Sequence, residues 1–167
     1  MRKTDTPELI FHPEFCQETL CHSDTALRCG LENCCPPDLT DNLARLSALL
    51  ASIQSALGLG AGALKVNSGF RSAELNEKVG GVPNSQHCLG LAADVVACDW
   101  GSPGQLAKAI EESNVAFDQL ILEFPSKTDP AAGWVHVSYK RGANRKQVQT
   151  AVKEGGKTVY KPGLLKP

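Results

Sequence analysis

Between Leu43 and Leu57 the apolar positions Leu43, Leu46, Leu49, Leu50, Ile53 and Leu57 recur at intervals of three and four. That period puts them on one face of a helix. Thr40 or Asp41 is placed to cap its start, and Gly58 with Gly60 to end it. A second amphipathic helix is predicted over "SPGQLAKAIEESN", where Ser102 can cap and Pro103 suits the first turn. One or two helical turns are expected in "SAELNEKVG", stopped by Gly80 and Gly81. Elsewhere the pattern shifts to small, β-branched and aromatic residues, which predicts strands in "ALKVNSGF", "AADVVA", "FDQLILEF" and "WVHVSY", the last two separated by the loop "PSKTDPAAG". The tail, "KQVQTAV" and "KTVYKP" around "KEGG", reads as a β-hairpin.

Helices set apart from a run of mainly consecutive strands imply an α+β fold with a largely antiparallel sheet flanked by helices. A chain of 167 residues with 42% apolar content supports one compact domain. Within it the pattern suggests an irregular, cysteine-rich arm over 1–39, a core over 40–140 and a C-terminal extension over 141–167. The proline pair of "CCPPDLTDN" closes the arm.

Charge narrows the range of partners. Seventeen Lys and Arg against eighteen Asp and Glu leave a net charge of -1, with no global attraction to nucleic acid or to an anionic membrane. No apolar run is long enough to span a bilayer, and "MRKTDTPELIFHPEF" lacks the apolar segment of a secretory signal. A monomer made in the cytoplasm, without nucleic-acid or membrane partners, is expected. Seven cysteines, an odd number, argue against an extracellular disulfide framework. Five of them, Cys16, Cys21, Cys29, Cys34 and Cys35, crowd the arm near His22, but their spacing lacks the repeated C-x2-C of zinc ribbons. Small thiols in a reducing compartment are the favoured reading over a structural zinc knot.

The chemistry concentrates in "NSQHCLGLAADV" and "WVHVSY". Side chains alternate along a strand, so Asp94 falls mid-strand among apolar neighbours, as does His136. A lone carboxylate there would be costly to bury, whereas a divalent cation with histidine neighbours offsets the cost. His87 lies about 20 Å from Asp94 in an extended chain. The two meet only if the chain turns, and Gly90 is placed to allow it. Ser85 can tie down the loop. His87, Asp94 and His136 then form two imidazoles and a carboxylate with a fourth position open, the ligand set of a catalytic zinc site. Cys88 points elsewhere on an extended segment.

The stretch "SGFRSAELNEKVGGVPNSQHCLGLAADVV", followed by "FDQLILEF" and "WVHVSY", resembles the M15-type zinc peptidases, the D-alanyl-D-alanine carboxypeptidase and phage endolysin group, over about residues 10–140. Ser85, His87, Gly90, Ala92 and Asp94 meet the signature S-x-H-x(2)-G-x-A-x-D, and Trp134 with His136 meets W-x-H. The resemblance implies a hedgehog-like peptidase fold and one catalytic zinc held by His87, Asp94 and His136. It also implies a zinc peptidase acting on an amide bond in the stem peptides of peptidoglycan, as a D-Ala-D-Ala carboxypeptidase or related endopeptidase, with a phage or prophage origin. Arg71 matches an arginine implicated in substrate binding, and its planar guanidinium suits a peptide carboxylate; Ser85 is assigned to the same substrate-binding group. Many members carry a glutamate three residues before the last histidine, where this chain has Gly133. Glu123, at the end of "FDQLILEF", is therefore the expected general base, with Asp118 and Asp129 in reserve. Gly133 also keeps open a non-catalytic, zinc-containing peptidoglycan-binding module.

Overall fold

A computed structural model describes residues 10–165. Its helices are α1 (Gln17–Cys21), α2 (Asp24–Cys29), α3 (Thr40–Ala56), α4 (Ala73–Lys78) and α5 (Pro103–Glu112). Its strands are β1 (Lys65–Ser68), β2 (Ala92–Val96), β3 (Gln119–Glu123), β4 (Trp134–Ser138), β5 (Gln147–Glu154) and β6 (Lys157–Pro162). The strands form one sheet in the order β1-β2-β4-β3-β5-β6. Every pairing is antiparallel except that of β3 with β5. This is the expected α+β class.

Alternation along the three central strands separates the core from the chemistry. Ala93 and Val95 of β2, Val135 and Val137 of β4, and Leu120 and Leu122 of β3 pack in one core with Leu43, Leu46, Leu50 and Ile53 of α3 and Leu106 and Ile110 of α5. The intervening positions, Asp94, His136, Ile121 and Glu123, fall on the opposite face. One helix-covered face thus contributes hydrophobic stabilisation, while the other carries polar groups.

Helix α3 starts differently from expectation. Neither Thr40 nor Asp41 caps it, because a 3-10 turn over Pro37–Leu39 runs directly into the helix. Asp41 instead accepts from Arg45 and Arg141. Ser102 does cap α5, in a reciprocal capping box with Gln105. The arm expected to be irregular contains α1 and α2, the latter capped by Ser23 and ended by left-handed Gly30. Helices of five and six residues are too short to display an apolar period. The first nine residues of that arm lie outside the described residues. At the other end, β5 and β6 are joined by Gly155 and Gly156, both at positive φ, as a two-residue hairpin turn requires.

Candidate metal centre

Asp94 and His136 are direct partners across the β2–β4 ladder, which brings their side chains to the same face. His87 reaches them from a 3-10 turn over Gln86–Leu89 that ends at Gly90 in the left-handed region, φ 66°. The expected reversal therefore occurs at Gly90. His87 Nε2 lies 3.2 Å from Asp94 Oδ1 and 3.2 Å from His136 Nδ1, and His136 Nδ1 lies 3.1 Å from Asp94 Oδ1. All three residues are buried.

Backbone and side-chain partners orient this triad. His87 Nδ1 donates to the carbonyl of Gly69 at 2.7 Å, because a carbonyl only accepts. Its Nε2 lone pair is thereby turned to the cluster, as a metal-bound imidazole requires. Arg71 Nη2 donates to Asp94 Oδ2 at 2.5 Å and Arg71 Nε to Ser68 Oγ at 2.8 Å, leaving Asp94 Oδ1 toward the histidines. Burial works against ionisation of Asp94, but His87 and His136 override it and hold the carboxyl far below the usual carboxylate range. Donors on a tetrahedral zinc at about 2.0–2.1 Å stand roughly 3.3 Å apart, so the observed separations fit a zinc ion to within a few tenths of an ångström. Among the described residues this is the one group of three or more His, Cys, Asp or Glu side chains that converges in this way; the cysteines of the arm form no such cluster.

The cluster opens into a cleft of about 830 Å³ lined by Arg71, Ser85, Gln119, Glu123, Trp134 and residues of the β5–β6 hairpin. Two of the lining residues, Trp134 and Gln86, each hold a buried polar atom, Nε1 and Oε1, without a hydrogen-bond partner.

Residues 13–138 match the family described as Peptidase M15. The chain belongs to the M15 peptidase family. Over 58 residues it is also 43% identical to the zinc D-Ala-D-Ala carboxypeptidase of Streptomyces albus G, a stretch that covers 35% of this chain and 22% of that protein. The shared stretch thus spans under a quarter of the relative's length. Family, relative and donor set together indicate zinc as the cofactor.

In this member of the M15 family the residues singled out in the sequence occupy distinct places. Glu123 lines the cleft at the end of β3, and burial, followed by the Asp94 carboxylate, pushes its carboxyl above the ordinary range, against a smaller opposing pull from His136, Arg71 and Lys153. Asp118 does not share that cleft. It is fully buried and receives three bonds from Arg145, from Nε at 2.9 Å, Nη2 at 2.5 Å and the backbone N at 3.1 Å, with its carboxyl held down to about 2. Asp129 is exposed and accepts from the Ala131 backbone in the β3–β4 loop. Ser85 caps the 3-10 turn by accepting from the His87 backbone N–H at 3.3 Å while lining the cleft. Cys88, beside His87, takes no part in the cluster.

Two features of the site escaped sequence reasoning. Phe124 adopts φ 53°, an uncommon conformation for a bulky residue, immediately after Glu123. Asn33, in the arm, donates to the carbonyls of Cys21 (2.8 Å) and Phe70 (2.9 Å) and accepts from the Ser72 backbone N–H (2.7 Å). It therefore fastens the arm to the segment that carries Gly69 and Arg71. An Asn between Glu32 and Cys34 carries no periodic signal.

Proposed function

We propose that this protein is a zinc-dependent peptidase that hydrolyses an amide bond in the stem peptides of peptidoglycan, with His87, Asp94 and His136 as metal ligands and Glu123 as general base. The observation that carries the reading is the convergence of His87 Nε2, Asp94 Oδ1 and His136 Nδ1 at the floor of a cleft that Glu123 also lines. The name of the Streptomyces albus G relative, a zinc D-Ala-D-Ala carboxypeptidase, supports the substrate class.

Zinc bound there supplies Lewis acidity, lowering the pKa of a neighbouring water and polarising the scissile carbonyl. Glu123 takes the proton of the attacking water and returns it to the departing amine. Its raised carboxyl makes it a stronger base for the first half, and a shift toward the operating pH still leaves the proton available for the second. Arg71 fixes Asp94 through one side of its guanidinium, and its remaining N–H groups are available to the substrate. Ser85 positions His87 through the backbone.

The test is mass spectrometry of purified muropeptides incubated with the protein, with and without a chelator, beside Glu123→Ala. The expected result is a chelator-sensitive mass loss corresponding to one hydrolysed amide, absent in the variant. Muropeptides that emerge intact while bound zinc is confirmed would overturn the reading in favour of a non-catalytic wall-binding module.

A further inference from the structure

The family match ends at residue 138, yet one wall of the cleft comes from beyond it: Gln149 and Lys153 of β5 and Thr158 and Tyr160 of β6. Register explains the arrangement. Glu123 pairs with Ala151, and Ala151 with Tyr160, so Glu123, Ala151 and Tyr160 form one row across three strands. Ala151 is small and fully buried and does not line the cleft, whereas Glu123 and Tyr160 on either side of it do. The next row on that face is Lys153 opposite Thr158.

Lys153 is held in place. Its Nζ donates to Thr158 Oγ1 at 2.7 Å and stands 5.0 Å from the centre of the Phe124 ring, which in turn packs edge-on against Trp134. Among the described residues it has no carboxylate within ion-pairing distance, in contrast to Lys161, which pairs with Glu154, and Lys108, which pairs with Glu112. The cleft's other cation, Arg71, is already engaged with Asp94. An ammonium anchored by Thr158 on the wall of a peptide-sized cleft, outside any ion pair although within the field of Glu123, is suited to an anion brought by the ligand.

We propose that the β5–β6 hairpin is the substrate-selecting wall of the cleft, and that Lys153 binds a carboxylate several residues away from the bond that is cut. The inference rests on the peptidase reading above. From the row of His136, Lys153 is two strands across and four residues along β5, or roughly 10 Å by 13 Å. A substrate at about 3.3 Å per residue covers that distance, less the reach of the lysine side chain, in three to five residues. The carboxylate read by Lys153 is therefore not the α-carboxylate of a single residue released next to the metal. It belongs to an acidic residue farther along a longer peptide, and its binding energy serves to place the scissile carbonyl.

The experiment compares kcat/KM for a synthetic stem peptide carrying a free internal carboxylate with that for the same peptide amidated at that group. The wild-type protein is expected to prefer the acid by about tenfold, and Lys153→Met to bring the preference close to one. Lys153→Glu should invert it, and a peptide with a lysine in place of the acidic residue should recover turnover with this variant only. Zinc content and thermal unfolding establish that the variants are folded. A wild-type protein that cleaves both peptides equally, or variants that keep the acid preference, would overturn the assignment of Lys153 while leaving the peptidase reading intact. A wild-type protein that cleaves neither would overturn both.

Discussion

A β-carbon on Gly133 would stand on the carbonyl oxygen of Glu123. Gly133 lies at φ 87°, and the second and third atoms in its way, at 3.0 and 3.1 Å, are also backbone, from Phe124. The position at which many M15 members carry a glutamate is thus closed to any side chain here, and the backbone it presses against belongs to the residue assigned as base. In the proposed assignment the acidic role falls to Glu123 at the end of β3 and not to position 133, which immediately precedes β4.

Gly133→Ala should therefore be costly in two ways. Neither backbone neighbour can swing aside, so a loss of about 2 kcal/mol or more in stability is expected. Activity should fall further than stability alone explains, because Glu123 is displaced with its strand. Urea unfolding beside muropeptide turnover measures the two effects separately.

Glu123→Gln keeps the shape of the side chain and removes the base. A drop of about 10²–10⁴ in kcat is expected with zinc stoichiometry unchanged. The pH profile carries a second signature. Burial and Asp94 raise the Glu123 carboxyl, so the proton is retained to higher pH than in an ordinary glutamate. The base is active only once that proton leaves, and a zinc ion on Asp94 would reverse that neighbour's contribution, so the expected signature is an acidic limb of kcat/KM that is present in the wild type and absent in the variant.

Asn33→Ala removes three hydrogen bonds far from any substrate. Loosening the Gly69–Arg71 segment frees both the carbonyl that orients His87 and the guanidinium that orients Asp94. Zinc affinity should weaken by about tenfold, the low end for changes just behind a metal ligand. Competition with a chromophoric chelator reads this directly, and an unchanged affinity would show the arm to be mechanically independent of the metal centre.

Arg145→Met takes both guanidinium bonds from Asp118, a fully buried carboxylate, and leaves it the backbone N–H of residue 145 and Gln86 Nε2. A loss of about 2 kcal/mol at neutral pH is expected, the scale of hydrogen bonds to a charged group. The sign of its pH dependence follows from a depressed pKa. Asp118 titrates at about 2 in the folded protein, against about 3.9 unfolded, so its contribution is present above pH 4 and is lost as pH falls toward 2. Wild-type stability should drop through that window, and the variant should drop less.

Much of this was legible in the sequence, for identifiable reasons. The leucine period of α3, the Ser102 cap of α5 and the Gly155–Gly156 turn are local signals that local physics obeys. His87, Asp94 and His136 could be grouped because burial of Asp94 demands a partner and Gly90 offers the turn that brings one. Less legible were features that depend on distant segments meeting. The parallel pairing of β3 with β5, which sets Lys153 and Tyr160 beside the cleft, is a tertiary choice with no sequence period of its own. The start of α3 was misplaced because Thr40 and Asp41 are good capping residues in isolation, yet the Pro37–Leu39 turn had already begun the helical path. Glu123 could be placed ahead of Asp118 only by its position at a strand end; the physical reason, Arg145 occupying Asp118, lies in a segment distant along the chain.

The sheet order puts β2 and β4, which carry Asp94 and His136, in the interior, and β5 and β6 at one margin. Interior strands are clamped on both sides, so the spacing of the metal donors is insulated from what happens at the rim. The outermost strand is attached by a single ladder, ending in a short glycine turn. Chemistry and taste are thereby housed in separable parts of the sheet, and exchanging one hairpin for another would offer a route to new substrates without rebuilding the centre.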